Sequence, residues 1–164
     1  MGIPLTNGSS QVITSPAAPA RSSASAPPVT ASNIRICSES LPFPDEHSFV
    51  GYIDFFFLDI NPCHPCVNES DFRKRSSDVL HKGELKRSDS CFLALHYIIF
   101  AVADVLRDFR AQGQRGVSPG WRWYQIAEGL IGRHKYSGQG DLCLIQYLTF
   151  EVQTDHYSSV DGRC

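Results

Sequence analysis

Apolar residues recur at steps of three and four along most of the chain after residue 43, a spacing that places them on one face of an α-helix. The first such stripe follows Pro44, which we place in the first helical turn, and it ends at Asn61-Pro62 because proline restricts the residue before it. The pattern predicts helices at about residues 44–60, 68–73, 88–109, 118–131 and 141–152.

The segment at residues 88–109 carries the strongest stripe. A helix this apolar is predicted to be buried in the core. Its longest apolar run, at residues 92–103, is too short to span a bilayer, so we do not predict a membrane helix. The stripe consists of Leu95, Ile99, Val102, Leu106 and Phe109.

The last two predicted helices are recognised by how they begin. Ser118 reads as a cap, with Pro119 at the first helical position, and Asp141 opens the final helix. In the fourth helix we expect Trp121 and Tyr124 to pack inward while Trp123 faces elsewhere. The inward stripe predicted for the final helix is Leu142, Ile145, Leu148, Thr149 and Val152.

The sequence shows no alternation of period two, so no strand is predicted and the fold class is all-α. Loops are expected at residues 75–87 and 111–117, which suits an irregular antiparallel array of about five helices. Residues 153–164 do not continue the last stripe, so we expect an irregular or truncated end there. The domain at residues 43–152 is therefore expected to be the incomplete first part of a longer helical array.

Composition separates residues 1–42 from the rest of the chain. They hold none of the eighteen aromatic residues, six of the ten prolines and only three charged side chains. Such a segment buries too little apolar surface to offset the entropy of folding, so we predict a disordered tail. The formal net charge of −2 does not favour a nucleic-acid surface spread over the chain, and no signal peptide is visible, which favours an intracellular protein.

Cys63 and Cys66 form the most specific candidate for chemistry. A thiol-redox role needs a helix that begins at the first cysteine, but Pro62 stands there and the preceding segment is helical. A zinc site would need a second close pair of ligands, which the sequence lacks; Cys91 and His96 are the remaining candidates. We therefore interpret the six cysteines as reduced thiols used for packing, and we predict no metal, cofactor or catalytic residue.

Three further patterns favour structure over chemistry. Basic residues at 73–75 and 86–87 have the outline of a two-part nuclear-import signal on a predicted loop, although such clusters are common on solvated loops. His96 lies beside the apolar stripe of a buried helix and is interpreted as a hydrogen-bonded core residue. The segment at residues 121–124 could offer stacking rings to bases, but packing is the better interpretation.

The run at residues 52–73, YIDFFFLDINPCHPCVNESDFR, resembles the opening of the fungal-specific transcription factor domain, the middle homology region of fungal zinc-cluster regulators. Both have an aromatic helix, two prolines three apart, an acidic residue and a phenylalanine. Residues 92–106, 118–124 and 137–146 are similar to later segments of that domain, in order. The residues that carry the resemblance are Phe56, Pro62, Pro65, Glu69, Phe72, Ser118, Pro119, Trp121 and Asp141.

The resemblance implies a nuclear, non-catalytic regulatory region that receives signals from an effector or from other transcription proteins. In the family, DNA binding belongs to an N-terminal zinc cluster of six cysteines; here the six are spread over residues 37–164 and cannot form it. Two alternatives stay open: a helical protein-interaction module unrelated to transcription, and a small thiol-redox or metal protein using Cys63 and Cys66.

Overall fold

The computed structural model describes residues 2, 32–82, 84–110, 120–132, 135 and 141–160, without the side chains of residues 109 and 153–160. Most of this part of the chain is helical, as predicted, and it contains five α-helices. Residues 3–31 of the predicted tail and the predicted loop at residues 111–117 lie outside the described residues. The helices are α1 (Glu46–Phe55), α2 (Glu69–Leu80), α3 (Ser90–Arg110), α4 (Trp121–Ile131) and α5 (Leu142–Val160).

The central helix α3 forms the core, as its stripe predicted. Every residue from 91 to 103 is buried, and α3 contacts α1, α4 and α5. The segment Arg87–Asp108 is long and apolar enough to cross a membrane, so the argument from length was wrong. However, 78% of its most apolar window is buried inside the protein, as is typical of a core helix that other elements surround.

A β-hairpin precedes the helices, so the prediction of no strand and of a disordered tail extending to residue 42 was wrong. Strands β1 (Ser32–Ile36) and β2 (Glu39–Phe43) pair antiparallel, with Ile34 opposite Leu41. The reversal occurs at Cys37 and Ser38, both with positive φ (48° and 70°). Two-residue hairpin turns usually have asparagine or glycine at these positions, so Cys37 and Ser38 carry no turn signal.

Contacts from both strands hold the hairpin against the rest of the fold. Phe43 is buried with its ring edge-on to Phe100 at a centroid distance of 5.5 Å. Tyr97 Oη donates to the carbonyl of Pro42 (2.8 Å), and the backbone N–H of Leu85 donates to the carbonyl of Arg35 (2.8 Å). The hairpin is therefore part of the same core as the helices.

The first helical segment begins later than predicted and changes its winding. Pro44 lies before the helix, because the carboxylate of Asp45 caps it by accepting from the backbone N–H of Ser48 (2.9 Å). After Phe55 the chain continues as a π-helical segment, Phe56–Ile60, and leaves the helix at Asn61, as the proline signal predicted. Phe56, Phe57 and Ile60 are all buried in this segment.

Helix α2 is longer than predicted, so the expected loop at residues 75–87 does not begin until His81. Its buried residues, Phe72, Ser76 and Val79, follow helical spacing, but Ser76 interrupts the apolar signal in an otherwise polar segment. A short 3₁₀ turn, Arg87–Asp89, then leads into α3. The Asp89 carboxylate accepts from the backbone N–H of Lys86 (3.1 Å), which closes this turn.

The two later helices depart from their predicted ends. Helix α4 begins at Trp121 after a left-handed Gly120 (φ 83°), and the cap predicted at Ser118 and Pro119 lies outside the described residues. Helix α5 begins after Asp141, as predicted, but continues to Val160. The prediction of an irregular end from residue 153 is therefore wrong up to Val160.

Candidate interaction surface

Helix α5 is apolar on two sides, and the structure buries the side opposite to the predicted one. Its inward residues are Cys143, Leu144, Tyr147 and Phe150, with Gln146 between them. Four residues of the stripe predicted to face the core instead form an exposed row: Leu142 (66% exposed), Ile145 (61%), Leu148 (37%) and Val152 (69%). We call these four residues the α5 row.

Polar contacts on the inward side fix this orientation. Gln146 Nε2 donates to the carbonyl of Cys66 (2.7 Å), which joins α5 to the turn before α2. Tyr147 Oη donates to Glu128 Oε1 (2.6 Å), which joins it to α4. At the start of the helix, Asp141 Oδ1 accepts from the backbone N–H of Cys143 (3.1 Å). Turning the α5 row inward would break the first two bonds.

A charged cluster also lies on the inward side. Lys135 Nζ contacts Glu128 Oε1 at 2.8 Å and also bonds the Glu151 carboxylate. Although burial opposes its charge, the hydrogen bonds to these two carboxylates raise the pKa of Lys135. Burial raises the pKa of Glu151, and also that of Tyr147, which donates to Glu128. The cluster therefore joins α4 to α5 by paired charges.

The α5 row itself carries no charge. Residues 142–152 contain no Asp, Lys, Arg or His, and their one glutamate, Glu151, has a side chain that is only 12% exposed. A row of exposed apolar side chains without a charge among them is typical of a protein-binding surface. The α5 row can therefore bury apolar surface against a partner without separating an ion pair.

Sequence reasoning identified the residues of the α5 row but assigned them to the wrong face. A helix that is apolar all round offers two stripes of similar quality, so periodicity alone cannot choose between them. The polar residues distinguish the two faces. Gln146 and Glu151 lie on the inward side, where each bonds a partner from another part of the chain.

Cys63 and Cys66, the candidate pair of the less favoured thiol-redox or metal alternative, lie in a turn that precedes α2. The Asn61 side chain closes this turn, donating to the carbonyl of Val67 (3.0 Å) and accepting from its N–H (3.2 Å). No helix begins at Cys63, which is exposed, and burial raises the pKa of the Cys66 thiol. A reactive thiol needs the opposite shift, so this geometry does not favour redox chemistry.

The residues that carry the family resemblance are spread through the fold and do not meet at one site. Phe56 packs edge-on against Phe150 of α5 (5.1 Å between centroids), and Phe72 packs against Phe92 of α3 (5.4 Å). Glu69 accepts from Arg73 Nε (2.8 Å) one turn along α2. Pro62 and Pro65 lie in the turn, Asp141 caps α5, and Ser118 and Pro119 lie outside the described residues.

The predicted orientation of the two tryptophans in α4 was wrong, whereas Tyr124 packs against the core as predicted. Trp123 is buried, and its Nε1 donates to Asp104 Oδ2 (3.0 Å). Tyr52 Oη donates to the other oxygen of that carboxylate (2.8 Å), so Asp104 joins α1, α3 and α4. Trp121 is 48% exposed, and its ring stacks on Tyr124 at 5.3 Å.

The first basic cluster lies within α2, so the prediction that it occupies a loop was wrong. Arg73 Nη2 contacts Asp54 Oδ1 (2.8 Å), and the guanidinium of Arg75 lies 4.1 Å from the centroid of the Phe92 ring. Arg75 Nη1 also donates to Cys143 Sγ (3.1 Å). Two of the three cations at residues 73–75 therefore take part in the packing.

His96 is a buried core residue, as predicted. Its Nδ1 bonds the carbonyl of Phe92 (2.8 Å), and its Nε2 lies 2.9 Å from Ser76 Oγ. Burial lowers the pKa of His96 to about 4, so the ring is neutral at pH 7. Within the part of the chain that the structure describes, no three His, Cys, Asp or Glu residues lie close enough together to hold a metal ion.

The comparisons with known proteins do not assign a family. No family model, curated protein or solved structure matches the chain. The sequence resemblance and the α5 row are therefore the two features of this chain from which a function can be inferred.

Proposed function

We propose that this protein is a non-catalytic regulatory module of a fungal transcription factor, located in the nucleus, which acts by binding a protein partner through the α5 row. The observation that carries the proposal is the exposed, uncharged row of four apolar residues on a helix whose other side is built into the core. The order of segments that resembles the fungal regulatory domain supports the transcriptional part. DNA binding would belong to a separate zinc-cluster module.

The occupant that fits the α5 row is an amphipathic helix of the partner. The row extends over residues 142–152, about 15 Å along the helix axis at 1.5 Å per residue. Its residues recur at steps of three and four, which builds a ridge that packs into the groove of a second helix. Since the row has no charge, the facing side of the partner helix is expected to be apolar as well.

The transcriptional role can be tested by fusing the full chain to an unrelated DNA-binding domain and measuring output from a reporter gene. We expect the wild-type fusion to change reporter output and Ile145→Glu to remove the effect, because a buried carboxylate at the interface costs several kcal/mol. Leu58→Glu is the matched control, since Leu58 is 77% exposed but lies in the π-helical segment rather than on α5.

Each outcome decides one part of the proposal. Unchanged activity of the Ile145→Glu fusion, with protein levels equal to wild type, would overturn the role of the α5 row. A wild-type fusion with no effect on the reporter would overturn the transcriptional role and favour an interaction module outside transcription. Sedimentation of the full chain separates the remaining case: a dimer that Ile145→Glu dissociates would make a second copy the occupant.

A further inference from the structure

A cavity of about 550 Å³ lies between the hairpin, α1 and α2, on residues that the proposed function does not use. Its wall is mostly apolar, and a volume of this size falls in the range of small-molecule sites. The hairpin forms one wall, so the cavity depends on the element that the sequence did not predict. Its main apolar lining residues are Ile34, Phe43, Phe49, Ile53 and Leu80.

One buried polar group lies in the wall of the cavity. Ser76 is 3% exposed, and its hydroxyl lies 2.7 Å from the carbonyl of Phe72 and 2.9 Å from His96 Nε2. A carbonyl can only accept, so His96 Nδ1 carries the proton of the neutral ring and Nε2 is an acceptor. The single proton of the Ser76 hydroxyl is therefore used inside the protein, and towards the cavity this group can only accept.

The charges around the cavity are unfavourable for an ionic ligand. Arg73 lines it but already contacts Asp54 and Glu69, each at 2.8 Å. Glu46 also lines it and would repel an anion, while its attraction for a cation is weakened because Glu46 is exposed to solvent. An ammonium group would be placed against a mainly apolar wall, where desolvation of a charge is costly. The lining therefore selects for a neutral molecule.

We propose that this cavity binds a neutral, largely apolar small molecule whose hydroxyl or N–H group donates a hydrogen bond to Ser76 Oγ. The apolar wall supplies most of the binding energy, since apolar burial is proportional to the area removed from water. The bond to Ser76 supplies orientation and selects molecules that carry a donor.

A pair of probes that differ in the donor tests this proposal on the full chain. We expect 2-naphthol to bind with saturable ligand-detected NMR signals, and about fivefold more tightly than 2-methoxynaphthalene, which lacks the donor, as one net hydrogen bond predicts. Ser76→Ala is expected to weaken 2-naphthol by about fivefold and to leave the methyl ether unchanged.

A second pair of variants keeps the test independent of the Ser76 substitution. Val50 lines the cavity and is 45% exposed, so Val50→Trp is expected to fill it and remove binding of both probes. Leu58→Trp places a tryptophan at an exposed position (77%) outside both the cavity lining and the α5 row, and is expected to leave binding unaltered. No saturable binding, or equal binding by wild type and Val50→Trp, would overturn the proposal without bearing on the α5 row.

Discussion

Burial of His96 predicts that the protein loses stability in mild acid. Its ring is surrounded by aromatic side chains, including Phe49 at 5.9 Å and Phe72 at 4.8 Å between centroids, and no carboxylate takes part in its hydrogen bonds. Burial, helped by the positive charge of Arg75, lowers the pKa of His96 from 6.5 to about 4. Between these two values the unfolded chain binds a proton that the folded protein excludes.

The sign and size of the effect follow from linkage. Because the folded-state pKa is the lower one, stability is fully present above pH 6.5 and is lost as the pH falls towards 4. A shift of one pKa unit corresponds to about 1.4 kcal/mol, so the free energy of unfolding should fall by about 2 kcal/mol between pH 7 and pH 5 because of this residue alone.

Urea denaturation followed by circular dichroism at the two pH values measures this loss. His96→Phe keeps a ring in the aromatic cluster and should remove about 2 kcal/mol of the pH dependence, because the variant has no proton to exclude. His64→Gln removes an exposed histidine and should keep the wild-type dependence. An equal loss in wild type and His96→Phe would refute the reasoning, as would a His96 pKa near 6.5 measured by NMR.

Two further pairs of variants test the packing. Gly120→Ala would place a Cβ atom 2.4 Å from the carbonyl oxygen of Ala101, at a residue with φ +83°, so we expect a loss of about 3 kcal/mol in urea denaturation. In Gly129→Ala the added Cβ meets no neighbouring atom within 4 Å outside its own helix, so this variant should gain about 0.5–1 kcal/mol from helix propensity. Equal effects of the two variants would contradict this. Lys135→Gln leaves two carboxylates without their cation. Because the cluster is only partly buried, this change should lower the free energy of unfolding by about 2 kcal/mol in the same assay, less than for a fully buried pair. Lys74→Gln, at an exposed residue, should change it very little. A loss below about 0.5 kcal/mol for Lys135→Gln is what an exposed surface ion pair gives, and it would show that the cluster does not hold α4 to α5.

The predictable helices are those in which apolar residues recur at steps of three and four or form a long run. In the first helix the stripe agrees with the proline signal after Asn61, and α3 is marked by the length of its apolar run. Helix α2 was predicted too short because a buried serine, Ser76, interrupts its apolar stripe. Ser76 bonds the carbonyl of Phe72 within α2 and His96 of α3, and sequence spacing does not reveal the contact with His96. The hairpin was missed because Cys37 and Ser38 adopt positive φ without a glycine or an asparagine.

The candidate site was difficult to predict for a different physical reason. In α5, Leu142, Ile145 and Val152 are as apolar as the residues that the core receives, so the hydrophobic effect gives little preference between the two faces. The choice is made by polar atoms that must find partners once buried. The carbonyl of Cys66 and the carboxylate of Glu128 come from distant parts of the chain, and their bonds to Gln146 and Tyr147 turn α5 so that its second apolar face remains outside. An exposed apolar row on such a helix is thus a consequence of where its few polar residues are bound, which explains why the row escapes a search for hydrophobic periodicity alone.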